Sequence, residues 1–299
     1  MLGINASYRL VRESIVAFTL EYHAVKDESE PLPVFPHILG TGFAVRPDGI
    51  IATNAHIVDA IQKAPRPPDA PEDESPIHAR LFHLTKAGML EIPLEVLGVA
   101  GIEGFYSGDP YYGPKEGPDL GFVHVKAKGL STVNLDSTTR LEEGVEVATA
   151  GFPMGTDALS APGWMHQFTP TLQRGIISAV HPFPCLTPHG YSINIMTQGG
   201  ASGSPVFLSE TGSVIGILYA GLRDVEVSLK QTDSYHVPIN ISYVVPAHYL
   251  IRALKELDKQ PGIELPLDTL TVDEMISNYR VVNTHEEDRM RTAHKKDSK

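Results

Sequence analysis

Between Ser14 and Val245 the chain repeats one pattern: short apolar runs of period two, broken by Gly, Pro or Asp. The runs are Ser14–Glu21, Gly42–Val45 with Ile50–Thr53, Ala79–Leu84, Leu90–Val99, Leu120–Val125, Val145–Ala150, Gly175–Val180, Tyr191–Met196, Val214–Ala220 and Ile239–Val245. Many short strands at this spacing predict an all-β barrel or sandwich. Helical periodicity is confined to Pro246–Leu257, where Pro246 suits a first turn and Tyr249, Leu250, Leu254 and Leu257 can share a face.

The stretch Asp136–Glu143 separates two strand groups of similar size. It divides the chain into 1–135, 136–258 with the closing helix, and 259–299, a mixed-charge segment expected to be mobile with a helix around Val272–Tyr279. Ala64–Pro76, rich in Pro and acid, and Glu103–Pro118, rich in Gly, Pro and Tyr, read as surface insertions. A net charge of −12 argues against nucleic acid or an anionic membrane as partner. Cys185 is the sole cysteine, so no disulfide can form within the chain. Charges at Arg9, Arg12 and Glu13 interrupt any signal-like stretch, and no run is long enough to cross a bilayer; a cytoplasmic location is the expectation.

One segment fits neither strand nor helix: TQGGASGSPVF, residues 197–207. It is either a plain turn or a nucleophile loop. A serine hydroxyl needs a base within hydrogen-bond reach, a group to orient that base, and donors for the oxyanion formed on attack. In Gly200-Ala201-Ser202-Gly203, glycine at 200 lets a backbone N–H turn inward, and the Ser202 N–H can supply a second donor. The base is suggested by IIATNAHIV, where His56 follows an apolar strand; as a lone residue it reads equally as a loop or cap histidine. The orienting acid is suggested by PDLGFVHV, where Asp119 precedes a strand, which is also the place of an ordinary turn residue. Asp109 is a rival for that role, lacking a following apolar strand, and Asp59 reads as a helix cap.

Taken together with GTGFAV (Gly40–Val45), AGFPMG (Ala150–Gly155), RGIISA (Arg174–Ala179), VIGILYAG (Val214–Gly221) and SYVVPAHYL (Ser242–Leu250), these fragments resemble the chymotrypsin-like serine proteases, most closely their bacterial HtrA-type branch. The resemblance spans about residues 12–257. It implies two six-stranded antiparallel β-barrels with a C-terminal helix, an N-terminal barrel within 1–135 and a C-terminal barrel within 136–258. It also implies that His56 is the general base, Asp119 its orienting partner and Ser202 the nucleophile, with Gly200 and Ser202 donating to the oxyanion. The order His, Asp, Ser fits this family and not the α/β-hydrolases, which also need G-x-S-x-G between strand and helix. No metal or organic cofactor is expected, and the partner is a peptide or protein substrate.

By the same resemblance the floor of the primary pocket falls at Met196 and its wall along Tyr219, Ala220 and Gly221. None is acidic, so a medium or small apolar side chain is expected there and Lys or Arg is disfavoured. Read without the resemblance, Met196 is equally a core residue. Two positions depart from the family pattern. Ala201 replaces an acid that in many members pairs with a new N-terminus, and Ser204 replaces the usual second glycine. They keep a second reading open, a catalytically inactive or latent scaffold that binds without turnover. No metal-ligand spacing is present beyond the His78…His83 interval; Cys185 reads as a loop thiol and Trp164 as a cleft or packing residue.

Overall fold

The first strand is buried on both faces: every residue of β1, Ile15–Leu20, is buried. Burial of both faces requires packing inside and outside one sheet, and the tertiary structure provides both. In the computed structural model, which describes residues 2–20, 37–65, 75–85, 88–101, 109–112, 116–153, 169–197, 199–227, 234–260 and 264–278, two closed antiparallel barrels of six strands follow one another. The first comprises β1, β2 (His37–Arg46), β3 (Ile50–Thr53), β4 (Ile77–Thr85), β5 (Gly88–Gly101) and β6 (Gly121–Val125), in spatial order β1-β2-β3-β6-β5-β4. The second comprises β7 (Glu146–Gly151), β8 (Thr171–His181), β9 (Gly190–Ile193), β10 (Pro205–Leu208), β11 (Val214–Val227) and β12 (Ser234–Pro246), in order β10-β11-β12-β9-β8-β7. This is the double barrel expected from the resemblance.

Three apolar clusters hold the molecule together. Val16, Phe18, Ile51, Leu81 and Val123 fill the first barrel, and Val147, Ile177, Ile193, Val206 and Val244 fill the second. A shared cluster joins them: the outer faces of β1–β3, with Ala17, Phe43 and Ala52, meet Ala148, Phe152 and Phe207. The Phe82 and Phe152 rings lie 5.3 Å apart across this junction. Each large side chain buried here contributes roughly 1.5–3 kcal/mol by leaving water, so the seam between barrels is a core and not a wet interface.

The ends of the chain depart from the sequence reading. Residues Ile4–Arg12 form a helix, α1, that the strand pattern did not announce. It lies against the second barrel, through Leu2 N–H to Glu210 O (2.9 Å), Ser7 Oγ to Ser209 O (2.8 Å) and Tyr8 OH to Pro170 O (3.0 Å). The expected C-terminal helix is present as α3, Ala247–Leu257, after the short α2, Ala55–Gln62. Beyond it, residues 264–278 are docked on the first barrel, where the sequence suggests mobility. Helix α4 (residues 272–278) buries Val272 and Ile276 in that barrel's cluster, and Lys128 bridges to Thr271. Each barrel is thus strapped by the end of the chain that belongs to the other. Residues 279–299, Trp164 and most of both insertions lie outside the described residues. Among the described residues no helix is long and apolar enough to cross a membrane.

Candidate active site

Strand register alone brings His56 and Asp119 together. Strands β3 and β6 pair antiparallel, with Thr53 opposite Gly121. His56 lies three residues beyond one strand end and Asp119 two residues before the other, so both emerge at the same rim. Asn54, in extended conformation at the N-cap of α2, turns the chain there and donates from Nδ2 to Asp119 O at 2.8 Å. The carboxylate then takes two bonds from one residue: His56 N–H to Oδ1 at 3.1 Å, and His56 Nδ1 to Oδ2 at 2.6 Å. A carboxylate accepts from Nδ1–H, and in the neutral imidazole this tautomer leaves the lone pair on Nε2, as a general base requires.

The rival acid and Asp59 are engaged elsewhere. Asp109 accepts from Tyr111 N–H at 3.0 Å and faces Tyr249 and Arg252 of α3. Asp59 lies inside α2 opposite Lys63, and the N-cap is Asn54, which corrects the reading of Asp59 as a cap.

Ser202 lies in the loop before β10, and this loop docks onto the first barrel. Thr41 N–H of β2 donates to Ser202 O at 2.9 Å. A Cβ built on Gly40 would lie 2.6 Å from Ile57 Cδ1 and 3.3 Å from Ser202 O, so the residue after His56 and the serine backbone flank the same point of β2. The Ser202 hydroxyl donates to Tyr219 O at 3.5 Å; among the described residues no hydrogen bond joins it to His56. Catalytic hydrogen bonds are commonly long before substrate binds and tighten afterwards. Gly200 has φ +89° and Gly203 φ +86°, the left-handed region that glycine tolerates. Among the described residues neither the Gly200 nor the Ser202 N–H has an acceptor within the chain.

Met196 is 40% exposed, between buried Ile195 and buried Thr197, so it is not a core residue. Thr197 takes the facing position: a Cβ on Gly221 would lie 3.0 Å from Thr197 Oγ1. Thr197 Oγ1 and Ser242 Oγ are 2.7 Å apart, and Ser242 Oγ donates to Ile195 O at 2.6 Å. Thr197 and Ser242 escaped the sequence reading because only the β11–β12 register, with Gly221 opposite Ser242, brings them to Gly221.

On the side of Asp119 opens a cavity of ≈ 360 Å³ walled by Tyr112, His181, His189, Tyr219 and Tyr243. Burial raises the Tyr112 and Tyr219 hydroxyls above their ordinary value, and the Asp119 carboxylate adds to it. Burial lowers the proton affinity of His189. Among the described residues no three His, Cys, Asp or Glu side chains converge as a metal site.

Two closed six-stranded barrels, with a histidine–carboxylate pair on one and a glycine-bracketed serine loop on the other, define the chymotrypsin-like class of serine protease folds. The sequence profile of the trypsin-like peptidase domain matches residues 40–217, and the chain belongs to that family. Among solved structures, the serine endoprotease from Yersinia pestis superposes with a TM-score of 0.52 at 16% identity, over 86% of this chain and 67% of that one. The HtrA-type protease AlgW with decapeptide gives 0.51 at 16% identity, over 86% and 68%. AlgW with tripeptide gives 0.51 at 15%, over 86% and 64%. The chain thus spans about two thirds of the length of these proteins, and at such identities the likeness is one of fold. No curated protein matches the chain.

Proposed function

We propose that the protein is a serine endopeptidase that cleaves peptide bonds through an acyl-enzyme on Ser202. His56 Nε2 takes the serine proton as Oγ attacks the carbonyl, and returns it to the leaving amine. Asp119 holds the imidazole in the required tautomer and stabilises the imidazolium. Gly200 and Ser202 N–H groups receive the oxyanion. A water then repeats the sequence in reverse to release the acid. The observation that carries this reading is the doubly bonded His56–Asp119 pair, at 3.1 and 2.6 Å, on the rim where the serine loop docks. A structural histidine has no need of a carboxylate clamped by its own backbone N–H.

For the substrate, Thr197 and Ser242 join Gly221 at the expected pocket wall, beside Met196 as its floor. With two hydroxyls and no charge there, the pocket suits a small or medium uncharged side chain. The second reading, a binding scaffold without turnover, draws on the Ser202 hydroxyl bonding Tyr219 O and not His56. Labelling with a fluorophosphonate decides between them. The wild type is expected to react and to cleave a peptide library, and Ser202→Ala to do neither. Equal labelling of both proteins, or of neither, refutes the peptidase.

A further inference from the structure

We propose that two buried hydroxyls, those of Ser204 and Thr41, are positioning residues that aim the oxyanion-hole donor; the proposal rests on the peptidase reading above. A peptide unit is planar and trans, so its carbonyl and its N–H point in opposite directions. The Ser202 N–H shares a peptide with the carbonyl of Ala201. Ser204 Oγ donates to that carbonyl at 2.6 Å, and the Ser204 N–H donates to it at 3.1 Å. Holding Ala201 O on the Ser204 side turns the Ser202 N–H away from it, where no group of the chain among the described residues accepts it.

Thr41 fixes the peptides on either side. Its Oγ1 donates to Gly200 O at 2.7 Å and its N–H to Ser202 O at 2.9 Å. The Thr41 hydroxyl also accepts from Phe152 N–H at 3.2 Å, which leaves its own proton directed at Gly200 O. Three consecutive carbonyls of the nucleophile loop are therefore held by two residues, one from each barrel. Both are inaccessible to solvent, so water does not compete for these bonds.

The space for the hydroxyls comes from Gly151 at the end of β7. A Cβ there would lie 1.9 Å from Ser204 Oγ and 2.8 Å from Thr41 Oγ1. Ala201 gives the clamp its purpose. It is buried in the second barrel's cluster and cannot form the ion pair by which an acid at this position would anchor the loop. The hydroxyl clamp supplies that anchor from within the fold, so loop geometry depends on the seating of the two barrels and not on a new N-terminus.

The test uses the full chain with Ser204→Ala, Thr41→Val and Thr41→Ser. Removing an oxyanion donor outright costs about 10²–10³ in kcat, so a misaimed one is expected to cost roughly ten- to a hundredfold, with KM within about twofold. Affinity for a peptide aldehyde, which forms a tetrahedral adduct, is expected to weaken in step with kcat. Thr41→Ser, which keeps the hydroxyl, is expected to recover the rate lost in Thr41→Val. The proposal is overturned if Ser204→Ala and Thr41→Val keep kcat within about twofold of wild type, or if they lose thermal stability and no catalytic rate. A wild type that neither labels nor cleaves removes the peptidase reading alone. The Ser202 amide resonance in Ser204→Ala then decides the clamp: a shifted resonance with faster hydrogen exchange supports it, and an unchanged one rejects it.

Discussion

Replacing Gly203 with Ala is expected to damage catalysis far more than its single added methyl suggests. The residue has φ +86°, where a Cβ costs about 1–2 kcal/mol. That Cβ would also lie 1.9 Å from Thr41 O and 2.5 Å from Thr53 Oγ1. Both atoms belong to β2 and β3 of the first barrel, and Thr53 Oγ1 donates to Thr41 O at 2.7 Å, so neither has room to yield. The nucleophile loop must withdraw by about 1 Å or more to reach ordinary contact. Withdrawal breaks Thr41 N–H to Ser202 O and Gly203 N–H to Leu218 O, each 2.9 Å, at about 1 kcal/mol apiece. With the backbone penalty the loss is about 3–4 kcal/mol. At roughly 2–4 °C per kcal/mol for a chain of this size, Tm is expected to fall by roughly 10 °C. A displacement of about 1 Å at the reacting groups costs on the order of a hundredfold in rate, so fluorophosphonate labelling is expected to fall by at least that factor. Gly199→Ala is the control: a Cβ there meets nothing within 4 Å, and Tm is expected to hold. A Gly203→Ala protein that melts within about 1 °C of wild type and labels at the wild-type rate would refute the steric reasoning.

Other outcomes follow from the same contacts. Asp119→Asn keeps the size of the side chain and removes its charge, so kcat is expected to drop by about 10²–10⁴ with the circular dichroism spectrum unchanged. Ile276→Ala, in the helix docked on the first barrel, is expected to destabilise the protein by about 2–4 kcal/mol in urea titration; no change would show that residues 264–278 are not docked in solution. Burial lowers the proton affinity of His124, His189 and His248 in the folded state. Below about pH 6.5 the unfolded chain therefore binds more protons than the folded one, and stability present at neutral pH declines as pH falls. Thermal melts between about pH 7 and about pH 5 are expected to show this decline, and a shallower one in His248→Gln. An equal slope in the variant would assign the decline to other groups.

Much of the site could be read from the chain. The strand pattern, the closing helix at Ala247–Leu257, and His56, Asp119 and Ser202 as candidates all rest on local signals: alternation, a Pro at a helix start, glycines around a serine. What escaped the sequence was non-local. Helix α1 was missed because the partners that hold it, Ser209, Glu210 and Pro170, lie far along the chain. Thr197 and Ser242 were not singled out because only the pairing of β11 with β12 brings them to Gly221.

The sequence by itself determined that the chain makes short strands in two groups and that a serine lies among glycines. Alternation and turn chemistry are properties of neighbouring residues and need no tertiary partner. Only the tertiary structure decided that β3 and β6 pair with Thr53 opposite Gly121, and that Thr41 of one barrel bonds the nucleophile loop of the other. The first joins residues 68 positions apart and the second residues 159 apart. No local pattern encodes them, because they exist only once both barrels have closed and seated against each other.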